Sequence, residues 1–202
     1  MKVLVTIPNR GWVHRQVLAI ALQMVAEREC ELVIDPAIHP PPYDNCLNIL
    51  ARKFYLGDYD FWMNIDHDNP PTKNPLELIN LDKDIIGLPT PGLSEFQNPM
   101  VHPMAFRIVD GKHVPVRDGK GLERVDAISS GAMLIKKRVF DNEMMRRFPF
   151  LSVYNEYGIR THGPDIAFCS KARSQGFEIY SHFDYPCYHY KDFELGELMG
   201  RL

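Results

Sequence analysis

The stretch that most restricts how this chain can fold is residues 59–71, Tyr-Asp-Phe-Trp-Met-Asn-Ile-Asp-His-Asp-Asn-Pro-Pro. Its apolar run, Phe61–Ile65, has the length of a buried strand and is too short for an ordinary helix. Two carboxylates follow, Asp66 and Asp68, and then Pro70 and Pro71 stop any regular hydrogen-bonded element. The carboxylates are therefore pinned where a buried strand emerges at its carboxyl end, the edge at which open α/β sheets bind ligands. Two hard oxygen donors there suit magnesium or manganese, which take one or two carboxylates together with substrate phosphates. The same residues also read as an acidic turn in which Asp68 and Asn69 shape the bend before Pro70.

The flanking pattern supports an α/β layout. Residues 1–6 read as a first buried strand, ending in the polar loop Ile7-Pro8-Asn9-Arg10-Gly11. Apolar positions at Val17, Leu18, Ala21, Leu22 and Val25 predict a helix over 12–28. A second strand is expected over 31–34, closed by Asp35-Pro36, so that strand, helix and strand form a parallel, right-handed unit. After the stiff His39-Pro40-Pro41-Pro42, residues 43–56 predict a helix with Cys46, Leu47, Leu50, Ala51 and Phe54 inward. Asp44, Asn45 and Asn48 stand at its start, suited either to a phosphate or base or to plain capping. A short helix or turn over 75–81 and a buried strand over 84–88 complete this half.

Residues 89–120 change in texture, being rich in Pro, Gly, Asn and His, with a hairpin signal at Asp110-Gly111-Lys112. The small residues Ser129-Ser130-Gly131 let backbone come close to a ligand or to another strand. Helices are expected over 138–147, with Val139, Phe140 and Met144 inward, and from Pro164 to Gln175, with Asp165 in the first turn. Residues 154–163 read as a mobile loop, 177–180 as a last strand, 181–191 as a loop and 192–202 as a short helix.

Composition removes several classes of function. A net charge of −3 with both signs mixed argues against a nucleic-acid binder. No run approaches a membrane span, and the start lacks the pattern of a signal peptide, so a cytoplasmic protein is expected. Cys30, Cys46, Cys169 and Cys187 form no Cys-x-x-Cys pair and read as reduced thiols.

Three blocks carry a family resemblance: residues 60–71 with the Asp-x-Asp strand, 127–140 with Ser-Gly-Ala-Met-Leu-Ile-Lys, and 163–180 with the helix opened by Pro164-Asp165. With the order of elements around them, the chain resembles the GT-A glycosyltransferases, especially the inverting family-two type and its compact bacteriophage or bacterial members. The resemblance implies one domain over 1–202 with a mixed, mainly parallel sheet flanked by helices. Residues 1–88 would form its nucleotide-binding half and 89–202 its acceptor and catalytic half. It implies a nucleotide-diphosphate sugar, a UDP-sugar by preference, transferred to the hydroxyl of a saccharide or other acceptor. Donor contacts fall on Ile7, Pro8, Arg10 and Asp35, with Asn45, Asn48 and Asp66. The metal, Mn2+ or Mg2+, would take Asp66, Asp68 and, as a downstream ligand, His189. Asp165 stands where the family has its catalytic base. The family's acidic residue before that base is replaced here by Pro164.

The chemistry has simpler competitors. Asp165 also suits a helix start through the dipole, and His189 also suits an ordinary loop. His162, His182, Cys187 and His189 offer zinc-binding atom types without a standard zinc spacing. Arg10, Lys136, Arg160 and Lys191 are the cations available to developing charge, and His67 is expected to face away from the two aspartates. Two other functions remain open. A sugar-nucleotide nucleotidyltransferase would carry a Gly-rich basic loop after the first strand, where only Gly11 occurs. A non-catalytic nucleotide- or sugar-binding module would hydrolyse no donor.

Overall fold

A computed structural model describes residues 1–34, 42–93 and 101–191. Asp35 and the expected 192–202 helix lie outside the described residues. The first half starts with β1 (Val3–Thr6), α1 (Arg15–Glu27), β2 (Cys30–Val33), α2 (Tyr43–Leu56) and β3 (Phe61–Ile65). A 3-10 helix, Pro75–Leu81, and β4 (Ile85–Gly87) follow. β5 (Pro91–Leu93) pairs with β6 (Val101–Pro103), and β7 (Ala105–Val109) pairs with both β8 (Lys112–Pro115) and β10 (Ala127–Ile128). The remaining elements are β9 (Leu122–Val125), β11 (Ala132–Lys136), α3 (Arg138–Asp141), α4 (Glu143–Arg146), β12 (Val153–Tyr154), β13 (Arg160–His162), α5 (Pro164–Ser174) and β14 (Ile179–His182).

The main sheet has seven strands in the order β2-β1-β3-β11-β4-β14-β9. Its pairings correct the expectation of a mainly parallel sheet. β1 is parallel to β2 and β3, and β14 to β4, but β11 is antiparallel to β3 and β4, and β9 to β14. The cause is the excursion after β4. The chain builds the small β7 sheet first and returns as β11, which enters between β3 and β4 from the opposite direction. Strands from both halves of the chain are thereby interleaved in one sheet.

Side-chain alternation divides the core between the two faces of that sheet. Leu4 and Trp62 point to the face covered by α2, α3, α4 and α5. Val3, Val5, Phe61, Met63 and Ile65 point to the face covered by α1 and the 3-10 helix. All five inward positions expected of α2 are buried. In α1 only Val17, Ala21 and Met24 are buried, while Leu18, Leu22 and Val25 remain exposed, so the helix rests on a narrower stripe than its apolar content predicts. The expected 138–147 helix breaks at Asn142, whose extended backbone ends α3 and whose side chain accepts from the amides of Met144 and Met145. That break shifts the phase by one residue and buries Met145 in place of Met144. Residues 154–163, expected as a mobile loop, hold most of the β12–β13 hairpin, turned around Asn155, which accepts from the amides of Tyr157 and Ile159. No helix among the described residues is long and apolar enough to cross a membrane.

Candidate functional site

β3 delivers the carboxylates to the edge where β1 and β4 also end and where β11 begins. A buried chain of polar groups fixes that edge. Trp62 Nε1 donates to Thr6 Oγ1 at 2.8 Å, Thr6 Oγ1 donates to Asn64 Oδ1 at 2.8 Å, and Asn64 Nδ2 donates to the Ser130 carbonyl at 2.8 Å. The last bond holds the 129–131 turn against the carboxylate turn, and Asp66 N donates to the Gly131 carbonyl at 2.8 Å. A Cβ at Gly131 would lie 2.5 Å from Asn69 Nδ2, so glycine here leaves room for the Asn69 side chain.

Asp66 accepts a hydrogen bond from the hydroxyl of Tyr43, the first residue of α2. Burial pushes the Asp66 carboxyl up to about 7; the Tyr43 bond opposes this, and the charges of Asp68 and Asp165 add to it. Asp68 is 6% exposed and takes the opposite course. Burial raises it too, but His189 and Lys191 outweigh burial and hold its carboxyl well below the ordinary range.

These two partners arrive on an extended strap, residues 186–191, that continues beyond β14. The strap is laddered onto the proline turn: Thr72 N donates to the Pro186 carbonyl at 3.0 Å, Tyr188 N to Pro70 at 3.0 Å and Tyr190 N to Asp68 at 2.9 Å. Alternation along the strap sends His189 and Lys191 toward Asp68. Tyr190 instead stacks on His14, with ring centres 3.9 Å apart, and donates to Gln16 Oε1 at 2.6 Å. His189 Nδ1 lies 2.6 Å from the Pro91 carbonyl. A carbonyl only accepts, so Nδ1 carries the proton and Nε2 is turned to Asp68, 3.5 Å from Oδ2. Asp68 raises the imidazole's pKa, against burial. The imidazole is thus fixed through Nδ1 by a backbone carbonyl, with Nε2 facing Asp68. Lys191 Nζ donates to the same Asp68 Oδ2 at 2.8 Å.

The surface over these groups is a cleft of about 630 Å³. Pro8, Asn9, Arg10 and Trp12 form one wall; Tyr43, Asp66, His67, Asp68 and Asn69 form the floor; Thr90, Pro91, Gly92, Met104 and Ser129 close the other side, with His189 and Lys191 at the strap. Trp12 is 46% exposed and sets an edge against His67, with ring centres 4.4 Å apart. Two buried side-chain oxygens among the lining residues, Asn69 Oδ1 and Thr90 Oγ1, have no hydrogen-bond partner.

Among the expected site residues, Pro8, Arg10, Asp66, Asp68 and His189 meet at this cleft. Asp165 sits half-buried at the start of α5, outside the cleft lining but close enough to raise Asp66. Its carboxylate accepts from Ile166 N at 2.9 Å, and burial raises its pKa. Ile7 is fully buried in the core, and Asn45 is exposed and does not line the cleft. Asn48 is committed elsewhere, donating to the Phe150 carbonyl at 2.7 Å and accepting from Phe150 N at 3.0 Å. Lys136 pairs with Asp82 at the far edge of the sheet, and Arg160 is exposed on β13. The zinc alternative loses its geometry, since His162 packs on His113 and His182 on Tyr185. Among the described residues no group of three His, Cys, Asp or Glu side chains is assembled around an ion position. Tyr43 on Asp66 and Lys191 on Asp68 occupy the carboxylates as they stand.

Sequence reasoning missed Tyr43, Trp12, Asn69 and Thr90, and it turned His67 the wrong way. The strand stops at Ile65, so the two-residue alternation does not extend to His67. Trp12 carried one usable signal: a large aromatic directly after a glycine in a polar loop, now seen with φ of +105° at Gly11.

No protein-family model matches the sequence, and no curated protein matches it. Solved structures do. A197 from STIV has a TM-score of 0.66 at 17% identity, with 95% of this chain and 87% of that chain covered. GalNAc-T7, solved with UDP, GalNAc and Mn2+, has a TM-score of 0.56 at 12% identity, covering 96% of this chain and 44% of that one. The chain thus spans less than half the length of GalNAc-T7. At these identities the likeness concerns the fold, which is GT-A-like.

Proposed function

We propose that this protein is a metal-dependent glycosyltransferase, moving a sugar from a nucleotide-diphosphate donor to an acceptor hydroxyl with inversion. The observation that carries the reading is that Asp66, Asp68 and His189 line one cleft, with the Asp165 carboxylate outside the lining but close enough to raise Asp66. Two carboxylates and an imidazole whose Nδ1 proton is already committed are donor types that suit Mn2+, and they would close around the ion once Tyr43 and Lys191 yield the carboxylates. Bound there, the ion would supply Lewis-acid stabilisation of the departing diphosphate. Arg10 and Trp12 offer the nucleotide a cation and an aromatic edge on the wall formed after β1. Asp165, raised by burial and held at a helix start, takes the proton of the attacking hydroxyl. UDP-sugars are the first donors to try, since GalNAc-T7 was solved with UDP.

The test is release of UDP from a panel of UDP-sugars with Mn2+, with and without saccharide acceptors, followed by the anomeric configuration of any product. Donor turnover that requires the metal and gives inverted product is expected. Tight UDP binding with no turnover of any donor would favour a binding module, and product of retained configuration would remove Asp165 as the base of a single displacement.

A further inference from the structure

The cleft holds an ammonium group in contact with the carboxylate turn. Lys191 Nζ and His189 Nε2 address the same oxygen, Asp68 Oδ2, at 2.8 and 3.5 Å. A cation shared by Asp68 and His189 therefore competes with Lys191 for that oxygen. The two partners in the ion pair differ in freedom. The Asp68 side chain is 8% exposed, whereas that of Lys191 is 53% exposed and lines the cleft. When the pair opens, the lysine moves. Its backbone cannot move far, because the preceding residue is tied to the carboxylate turn through the Tyr190 amide at 2.9 Å and to α1 through the Tyr190 hydroxyl at 2.6 Å. A released ammonium thus stays tethered beside the carboxylate turn, on a four-carbon stem that behaves as a flexible point charge. The anion available there, on the functional reading above, is the diphosphate of the donor.

Resting on that reading, we propose that Lys191 is a tethered counter-ion of the cleft. It neutralises Asp68 in the empty protein, yields Oδ2 when a divalent cation binds, and then donates to the nucleotide diphosphate. A merely structural lysine would hold the strap in place and alter neither ligand's affinity.

The experiment titrates Mn2+ alone, by its electron paramagnetic resonance signal, and then UDP in saturating Mn2+, by calorimetry. Wild type, Lys191→Met and Lys191→Arg are compared, with the thermal midpoint of each recorded. Removing the competitor in Lys191→Met should tighten Mn2+ about fivefold, the scale of a half-exposed ion pair. The same change should weaken UDP about tenfold, the scale of a lost charge-assisted hydrogen bond. Lys191→Arg should stay near wild type for UDP. If wild type binds both ligands and Lys191→Met binds either one no differently, the role of Lys191 is overturned while the functional reading stands. If wild type binds neither, the functional reading falls, and this role with it.

Discussion

The two edges of the central sheet are both rich in charge, and both carry a hollow, of about 630 Å³ at the carboxylate turn and about 530 Å³ around Lys136, Lys137 and Arg138. They differ in whether polar demand is fully met. At the far edge Lys136 pairs with Asp82, Arg138 with Asp84, and Lys137 donates to the carbonyls of Phe54, Tyr55 and Gly57 that end α2. One ammonium thereby meets three carbonyls at the end of α2, of which that of Phe54 also accepts from Gly57 N at 3.2 Å. At the near edge like charges crowd together. Asp68 and Asp165 make Asp66 costlier to ionise, while Asn69 Oδ1 and Thr90 Oγ1 find no partner. A count of charges would not separate the edges. Unmet polar demand does, and it is what a ligand can answer.

Substitutions on each edge should separate these roles. The largest effect is expected at the near edge: Asp165→Asn should cut sugar transfer on the order of a hundredfold or more while leaving Mn2+ and UDP affinity nearly unchanged. Rates from single-turnover assays, read beside calorimetric affinities, check it, and near-normal turnover would remove the residue from the mechanism. At the far edge Lys137→Met strips the cap from α2 and should cost about 1–2 kcal/mol in urea unfolding, with UDP affinity unmoved. A drop in affinity there would mean that the edges are coupled and the contrast is too sharp.

Smaller effects probe the ligand assignment. His189→Ala should weaken Mn2+ about tenfold, as losses around metal sites commonly do, whereas His182→Ala should leave Mn2+ affinity alone. Smallest of all is Lys136→Ala. Its partner Asp82 is exposed, so metal and nucleotide binding should be unchanged and stability nearly so. Any activity loss in Lys136→Ala would revive that lysine as a cation of the site.

The sequence made the near edge legible because local rules act there without help from distant residues. An apolar run stopped by Asp-x-Asp and two prolines allows little else, and β3 and α2 fall where periodicity put them. A mixed sheet was expected, but its lack of a parallel majority was not legible, because the placement of β11 depends on the path taken after β4. The same limit applies to the site. Asp68 and Lys191 are 123 positions apart, and Tyr43 and Asp66 are joined through α2 packing on β3, so neither pair leaves a local trace. Asn48 misled for a related reason: an amide at a helix start looks free until Phe150, 102 residues later, takes both its groups.

The central claim is that the near edge is a metal-dependent nucleotide site. It is tested most directly by titrating UDP into the wild-type protein in Mn2+ and again in chelator, with Asp68→Ala as the third arm. The account predicts binding that is at least tenfold tighter in Mn2+, a gain that Asp68→Ala abolishes while remaining folded. Equal affinity in Mn2+ and chelator, or a metal effect that survives in Asp68→Ala, would contradict it.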